Sequence, residues 1–185
     1  MLGLGLGLNK GGRPKLRDLI TNLDLTQPAT DFFNSYNVEG GAITFSSNAT
    51  IASESGWLKG VFPNSAQNAP SGISHINISP EADATAGRLF KVKFELYLET
   101  AANWTEGGAS QATITVSFGN TTTNVDVTPD SKVTIDTGVK SIDFTGLNDL
   151  IIYFNEENEL PEANAAFYIK NFEFRMGNDN TAVTG

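Results

Sequence analysis

Apolar and polar residues alternate along much of this chain with a period of two residues. The longest example is the segment 89–99, LFKVKFELYLE. A strand with one face in a core and the other face in water produces this alternation. The segment therefore predicts a long β-strand, with Lys93 and Tyr97 on its wet face and a buried face formed by Phe90, Val92, Phe94, Leu96 and Leu98.

Shorter apolar segments separated by turn residues predict further strands. They span residues 42–45, 50–52, 56–62, 73–78, 111–118, 124–127, 132–135, 141–144, 150–154 and 166–176. The last of these, AFYIKNFEFRM, changes parity near Lys170 and Asn171, which predicts a β-bulge. We find no helical periodicity of useful length. About ten short strands in ~140 residues predict an all-β fold, a jelly-roll β-sandwich.

The first seventeen residues differ from everything that follows. Glycines at positions 3, 5 and 7 allow this stretch many conformations, and a free monomer gains little from such a segment. We therefore predict an assembly arm that a neighbouring molecule orders, by burying its leucines and by salt-dependent contacts with its cations. The residues that define this arm are Leu2, Leu4, Leu6, Leu8, Lys10, Arg13, Lys15 and Arg17.

These patterns divide the chain into three parts. Residues 1–31 are the predicted arm and linker, and 18–31 include a candidate edge strand. Pro28 argues against a central strand in this linker, because proline cannot donate to a ladder. Residues 32–177 form the predicted sandwich, and residues 178–185 form a C-terminal tail.

Composition narrows the range of functions. The net charge of −9 argues against nucleic acid as a partner of the domain. The absence of cysteine excludes disulfides, thiolate metal sites and cysteine nucleophiles. No stretch approaches eighteen apolar residues, and the start of the chain lacks the features of a signal peptide. We therefore expect no membrane partner and no cofactor.

Two aromatic residues are candidates for carbohydrate binding. Trp104 lies in a glycine-flanked loop, where its flat ring could stack on a sugar, or else cap the end of the sandwich. Tyr97 lies on the polar face of the longest strand, where it could line a concave binding face or shield a neighbouring strand or subunit. Trp57, among small and apolar residues, is predicted to be in the core.

The ionisable residues do not form a recognisable catalytic or metal-binding set. The acidic cluster of Glu156, Glu157, Glu159 and Glu162 fits no known calcium loop, so we interpret it as a solvated loop. The single histidine, His75, has no evident nucleophile or acid partner, which argues against a catalytic triad. We predict no catalytic residues and no metal site.

The order of strands resembles that of jelly-roll carbohydrate-binding modules. The resemblance covers residues 32–177 and depends on the segments GRLFKVKFELYLE, ATITVSFG, LIIYF and FYIKNFEFRMG. In that family the last strand often reads fyIDNfel, and Lys170 occupies the place of the aspartate. This departure weakens the inference of a calcium or glycan role that the aspartate would carry. Separately, the opening LGLGLGLNKGG is similar to the start of small virion proteins of tailed bacteriophages.

Together these features predict a non-enzymatic structural component of a bacteriophage virion, either a capsid decoration or a tail- or fibre-associated protein. The N-terminal arm would dock it to other virion proteins, and several copies or a homo-oligomer are expected in the particle. The alternative is a glycan-binding jelly-roll module for adhesion to a host surface. In that case Trp104 and Tyr97 would be the stacking residues and a host surface glycan the partner.

Overall fold

The protein is an all-β sandwich of two antiparallel sheets. The computed structural model describes residues 19–22, 25, 28, 32–67, 69–75, 88–105, 109–142, 149–154, 161–177 and 180–184. Its strands are β1 (Leu19–Asn22), β2 (Phe33–Tyr36), β3 (Thr44–Ile51), β4 (Glu54–Val61), β5 (Gly72–His75), β6 (Leu89–Glu99), β7 (Ala112–Phe118), β8 (Thr121–Val127), β9 (Val133–Asp136), β10 (Lys140–Ser141), β11 (Ile151–Tyr153) and β12 (Ala166–Gly177). A five-residue helix, α1 (Asn180–Thr184), follows β12.

Within the described residues, the first sheet has seven strands and is built around β12. One side of β12 pairs with β6, and its other side pairs with β4 and then, further along, with β1. Strand β3 extends the sheet beyond β4, whereas β9 and β10 both pair with the outer side of β6. The edge strand expected within residues 18–31 is therefore present as β1.

The second sheet has five strands in the order β2-β5-β11-β7-β8. Every pairing in both sheets is antiparallel. The strand β2 has no counterpart in the sequence-based prediction, because FNSY offers only a single apolar-polar alternation. The strand β8 begins three residues earlier than predicted, since its threonines extend the ladder with β7.

The core between the sheets is rich in aromatic rings. The predicted register of β6 is confirmed, because its five alternate apolar residues are at most 1% exposed. Phe94 stacks on Phe172 of β12 with ring centres 5.9 Å apart. Phe172 is inward because β12 changes register between Lys170 and Glu173, which confirms the predicted bulge. The all-β β-sandwich predicted from the sequence is thus the observed fold.

Candidate functional site

The outer face of the five-stranded sheet is formed almost entirely by uncharged polar side chains and tyrosines. Alternate residues of β7 and β8 point inward and pack in the core, so the residues between them point outward. We call this surface the tyrosine face, and its described members are Asn34, Tyr36, Gly72, Ser74, Thr113, Thr115, Ser117, Thr122, Asn124, Asp126, Ile151 and Tyr153. Gly72, Thr115 and Ile151 are buried, and the other members are half-buried or exposed.

Tyr36, on the edge strand β2, and Tyr153, on the central strand β11, meet on this face. They lie in one cross-strand row with Gly72 between them, and their ring centres are 5.5 Å apart with planes at 86°. Any side chain at position 72 would collide with the backbone, because an added Cβ would lie 1.9 Å from the carbonyl oxygen of Ile152. The glycine therefore permits both the close β5–β11 approach and the edge-to-face pair.

The two phenol groups are also linked electrostatically. Burial and a hydrogen bond with Tyr36 raise the pKa of Tyr153 to about 12. Both rings are nevertheless only half-buried, so each keeps apolar surface in contact with solvent. The pair thus offers two fixed aromatic surfaces and a phenol that stays protonated far above neutral pH.

Hydrogen-bonding side chains of β7 and β8 lie on one side of the tyrosine pair, beyond Tyr153. The Thr115 hydroxyl donates to Asn124 Oδ1 at 3.2 Å, and the Thr113 hydroxyl donates to Asp126 Oδ1 at 3.0 Å. Among the described residues of this face, Asp126 is the only one charged at neutral pH. A surface with aromatic rings, hydroxyls and amides but little charge suits a neutral, hydroxyl-rich ligand.

The outer face of the seven-stranded sheet has a different character, and we call it the ion-pair face. It carries the pairs Lys59–Glu99 (3.5 Å), Lys91–Asp136 (3.0 Å) and Arg175–Glu173 (2.7 Å). Two of its aromatic residues, Trp57 and Tyr168, are 0% and 6% exposed. These two rings are covered and present no stacking surface to solvent, whereas the ring of Tyr97 is half-buried.

Trp57 is buried as predicted, but it is not part of the core between the sheets. It lies in a second cluster with Ile51, Ala166 and Tyr168, because its neighbour Leu58 occupies the inward direction of β4. The ammonium groups of Lys132 and Lys170 lie 5.5 and 5.6 Å from the centre of its ring.

One carboxylate joins these two lysines. Lys132 pairs with Glu54 Oε2, and Lys170 pairs with Glu54 Oε1 at 2.5 Å. These hydrogen bonds lower the pKa of Glu54 from its ordinary value of 4.5 to about 2. Lys170 therefore helps to cover a tryptophan.

Trp104, the first predicted glycan-binding residue, is buried at one end of the sandwich. It is 2% exposed, packs edge-to-face on Phe62 at 6.0 Å, and donates from Nε1 to the Glu99 carbonyl at 3.0 Å. The ring offers no free surface for a sugar in this arrangement. The geometry corresponds to the capping alternative and does not favour the stacking role.

Tyr97, the second predicted residue, does lie on the outer face of β6. It is half-buried and touches Tyr168 edge-to-face, with ring centres 5.8 Å apart. Burial, followed by the nearby charge of Asp130, raises its pKa. It thus shields the neighbouring strand β12 on the ion-pair face. The tyrosine pair belongs to the other sheet.

The remaining predicted residues are only partly described. Glu162 is exposed in the turn before β12, and His75 ends β5 opposite Phe33. The arm residues Leu2, Leu4, Leu6, Leu8, Lys10, Arg13, Lys15 and Arg17 lie outside the described residues, as do Glu156, Glu157 and Glu159.

Within the part of the chain that is described, no three acidic or histidine side chains are grouped to hold a metal ion. No described helix is long and apolar enough to cross a membrane.

The sequence prediction missed the tyrosine pair. Tyr153 was within the predicted strand LIIYF, but Tyr36 was in no predicted element. A signal did exist, since Tyr153 interrupts an otherwise apolar run and must face outward if Ile152 faces the core. Its meeting with Tyr36 depends on the order β2-β5-β11, which a single sequence does not reveal.

Comparison with solved structures shows which proteins share this fold. The chain is similar to the C-terminal family 22 carbohydrate-binding module of Clostridium thermocellum Xyn10B, with 13% identity, a TM-score of 0.52, and coverage of 83% of this chain and 90% of that one. It is also similar to the CBM22-1–GH10 modules of Clostridium thermocellum endo-1,4-β-D-xylanase 10B, determined with xylohexaose. There the identity is 12% and the TM-score 0.50, and the match covers 85% of this chain and 28% of that one.

No family model matches the chain, and no curated protein matches it. At such low identity the structural likeness shows a shared fold. The carbohydrate-binding-module resemblance read from the sequence is thereby supported at the level of the fold. Nothing in these comparisons supports the bacteriophage interpretation, which stays a prediction.

Proposed function

We propose that this protein is a non-catalytic glycan-binding module whose ligand lies across the tyrosine face. The observation that carries the proposal is the fixed Tyr36–Tyr153 pair, 5.5 Å apart, on a nearly uncharged sheet surface. Tyrosine rings can pack on the C–H face of a sugar ring while their phenol groups hydrogen-bond its hydroxyls.

The polar neighbours of the pair supply the rest of the recognition. Asn124 lies in the same cross-strand row as Tyr153, beyond Thr115, which is buried at 5% exposure. A saccharide chain that follows this row therefore meets aromatic rings and then the exposed amide of Asn124. The hydroxyls of the half-buried Thr113 and the exposed Thr122 can donate or accept, which suits the two-way hydrogen bonding of sugar hydroxyls. A neutral polysaccharide is favoured over an acidic one, because the face bears no described cation and has the carboxylate of Asp126.

The solved structures of similar fold suggest the first ligand to test. One of them carries xylohexaose, and the other concerns ligand binding in a cleft of a family 22 module. We therefore place xylan-type chains first among neutral polysaccharides, followed by glucans and mannans.

The test is calorimetry of the full chain with xylohexaose and with a panel of neutral oligosaccharides. We expect Tyr153→Ala to weaken binding at least ~10-fold, which corresponds to ~1.4 kcal/mol. The matched control is Tyr97→Ala, which removes a half-buried tyrosine from the opposite sheet and should leave this affinity unchanged. Equal losses in the two variants, or no binding to any member of the panel at millimolar concentration, would contradict the proposal.

A further inference from the structure

The bulge in β12 opens a groove on the ion-pair face, opposite the tyrosine face. Two residues of β12, Asn171 and Phe172, occupy the interval in which β6 has only Phe94. The resulting groove has a volume of about 280 Å³ and is lined by Lys93, Phe94, Glu95, Thr134, Asn171 and Glu173. This volume is close to the lower limit of small-molecule sites, about 300 Å³, so the groove suits a ligand of one ring.

Lys93 differs from the other lysines of this face. Lys59, Lys91, Lys132 and Lys170 each pair with a carboxylate. Lys93 is exposed, and among the described residues no carboxylate lies within ion-pair distance of its ammonium group. Lys93 lies across from Asp136 in the β6–β9 pair without forming an ion pair, so its three N–H donors are available to a ligand or to water.

The other polar groups of the groove either accept hydrogen bonds or both donate and accept them. Asn171 Nδ2 donates to Glu95 Oε1 at 2.7 Å, which fixes both side chains and leaves Glu95 Oε2 and the Asn171 carbonyl oxygen as acceptors. The Thr134 hydroxyl can donate and accept. Glu173 is engaged by Arg175. The charges of Lys93 and Glu95 cancel, so the groove favours a neutral ligand that both donates and accepts hydrogen bonds.

We infer that this groove is a second saccharide site, which takes a single neutral sugar ring at a chain end or branch. The inference rests on the proposed function for its class of ligand, but it uses different residues on the opposite sheet. Lys93 would donate to ring hydroxyls, Glu95 would accept from them, and Thr134 and Asn171 would do both. Two sites on opposite faces would let one domain bridge two chains of a polysaccharide.

The test is a titration of the ¹⁵N-labelled full chain with methyl β-D-xylopyranoside and methyl β-D-glucopyranoside, followed by amide chemical shifts. We expect shifts at Lys93, Thr134 and Asn171. The variant Asn171→Gly keeps the left-handed backbone at φ 52° and removes the amide, and it should weaken binding at the groove about fivefold. Asn120→Gly is the matched control, since Asn120 also has a positive φ of 62° but lies in the β7–β8 turn.

The outcomes separate the two sites. Groove shifts that survive Tyr153→Ala and are reduced in Asn171→Gly and Lys93→Ala support the second site, even if the tyrosine face binds nothing. An absence of groove shifts while xylohexaose still perturbs Tyr36 and Tyr153 overturns the second site and leaves the proposed function intact. Groove binding that Asn171→Gly and Lys93→Ala leave unchanged would also overturn it.

Discussion

Lys170 extends across Trp57, with its ammonium nitrogen 5.6 Å from the centre of the indole ring. A cation at this distance from a tryptophan face is attracted by the ring quadrupole. Glu54 holds Lys170 and Lys132 in place over the ring, so three charged side chains cover an aromatic residue that is 0% exposed.

The first prediction concerns this cover. Because the folded pKa of Glu54 is about 2, below its ordinary value of 4.5, its ion pairs stabilise the fold above pH 4.5. That stabilisation is lost as the pH falls from 4.5 towards 2. We expect the melting temperature of the wild type to exceed that of Glu54→Gln near neutral pH, and the difference to shrink towards zero near pH 2.

The measurement is a set of thermal melts of both proteins across this pH range. High salt should also reduce the difference at neutral pH, since these partly exposed charges are screened. A difference that stayed constant from neutral pH to pH 2 would show that the ion pairs do not cause it.

The second prediction concerns the register of β6. Phe94 is 1% exposed and stacks on Phe172, so Phe94→Ala should cost about 3–5 kcal/mol of unfolding free energy. Lys93→Ala removes an exposed side chain one position away and should change the free energy of unfolding by no more than about 0.5 kcal/mol. Denaturant titration measures both values, and equal losses would mean that the inward and outward residues are misassigned.

Some features of the fold could be predicted from the sequence because they are local. The period-two pattern of β6 required only that one face be buried, and the parity change at Lys170 and Asn171 required only one extra residue in β12. Trp57 shows the limit of this reasoning. Its burial was predicted, but its cover comes from Lys132 and Lys170, which are distant in sequence and meet only when β9 and β12 pair with the two sides of β6.

The candidate site was harder to predict than the fold. Tyr97 and Trp104 were chosen because one lies on a wet strand face and the other in a loop, which are local properties. The tyrosine face instead depends on strand order, on Gly72 allowing β5 and β11 to approach, and on β2, whose short polar sequence gave no strand signal. A single sequence contains no direct information about such strand neighbours.

The third prediction concerns Trp104. Its ring packs on Phe62 and Phe154, with ring centres 6.0 Å apart in each case, so Trp104→Ala should cost about 3–5 kcal/mol of stability. Trp104→Phe keeps an aromatic ring in the cluster and should cost less. Because the ring is buried, we expect neither variant to change saccharide affinity at a temperature where it remains folded.

The check on Trp104 combines denaturant titration with calorimetry on the same samples. A folded Trp104→Phe variant with wild-type stability and strongly weakened saccharide binding would restore the sequence-based stacking role. It would also show that this end of the sandwich opens to admit a sugar.

The central claim is that a saccharide binds across the tyrosine face, and amide chemical-shift mapping with xylohexaose tests it most directly. We predict that the largest shifts occur at Tyr36, Tyr153, Thr115 and Asn124, and that Tyr153→Ala abolishes them without changing the spectrum of β6. If a saturating saccharide shifted residues of the ion-pair face alone, or if Tyr153→Ala left every shift unchanged, the claim would be contradicted.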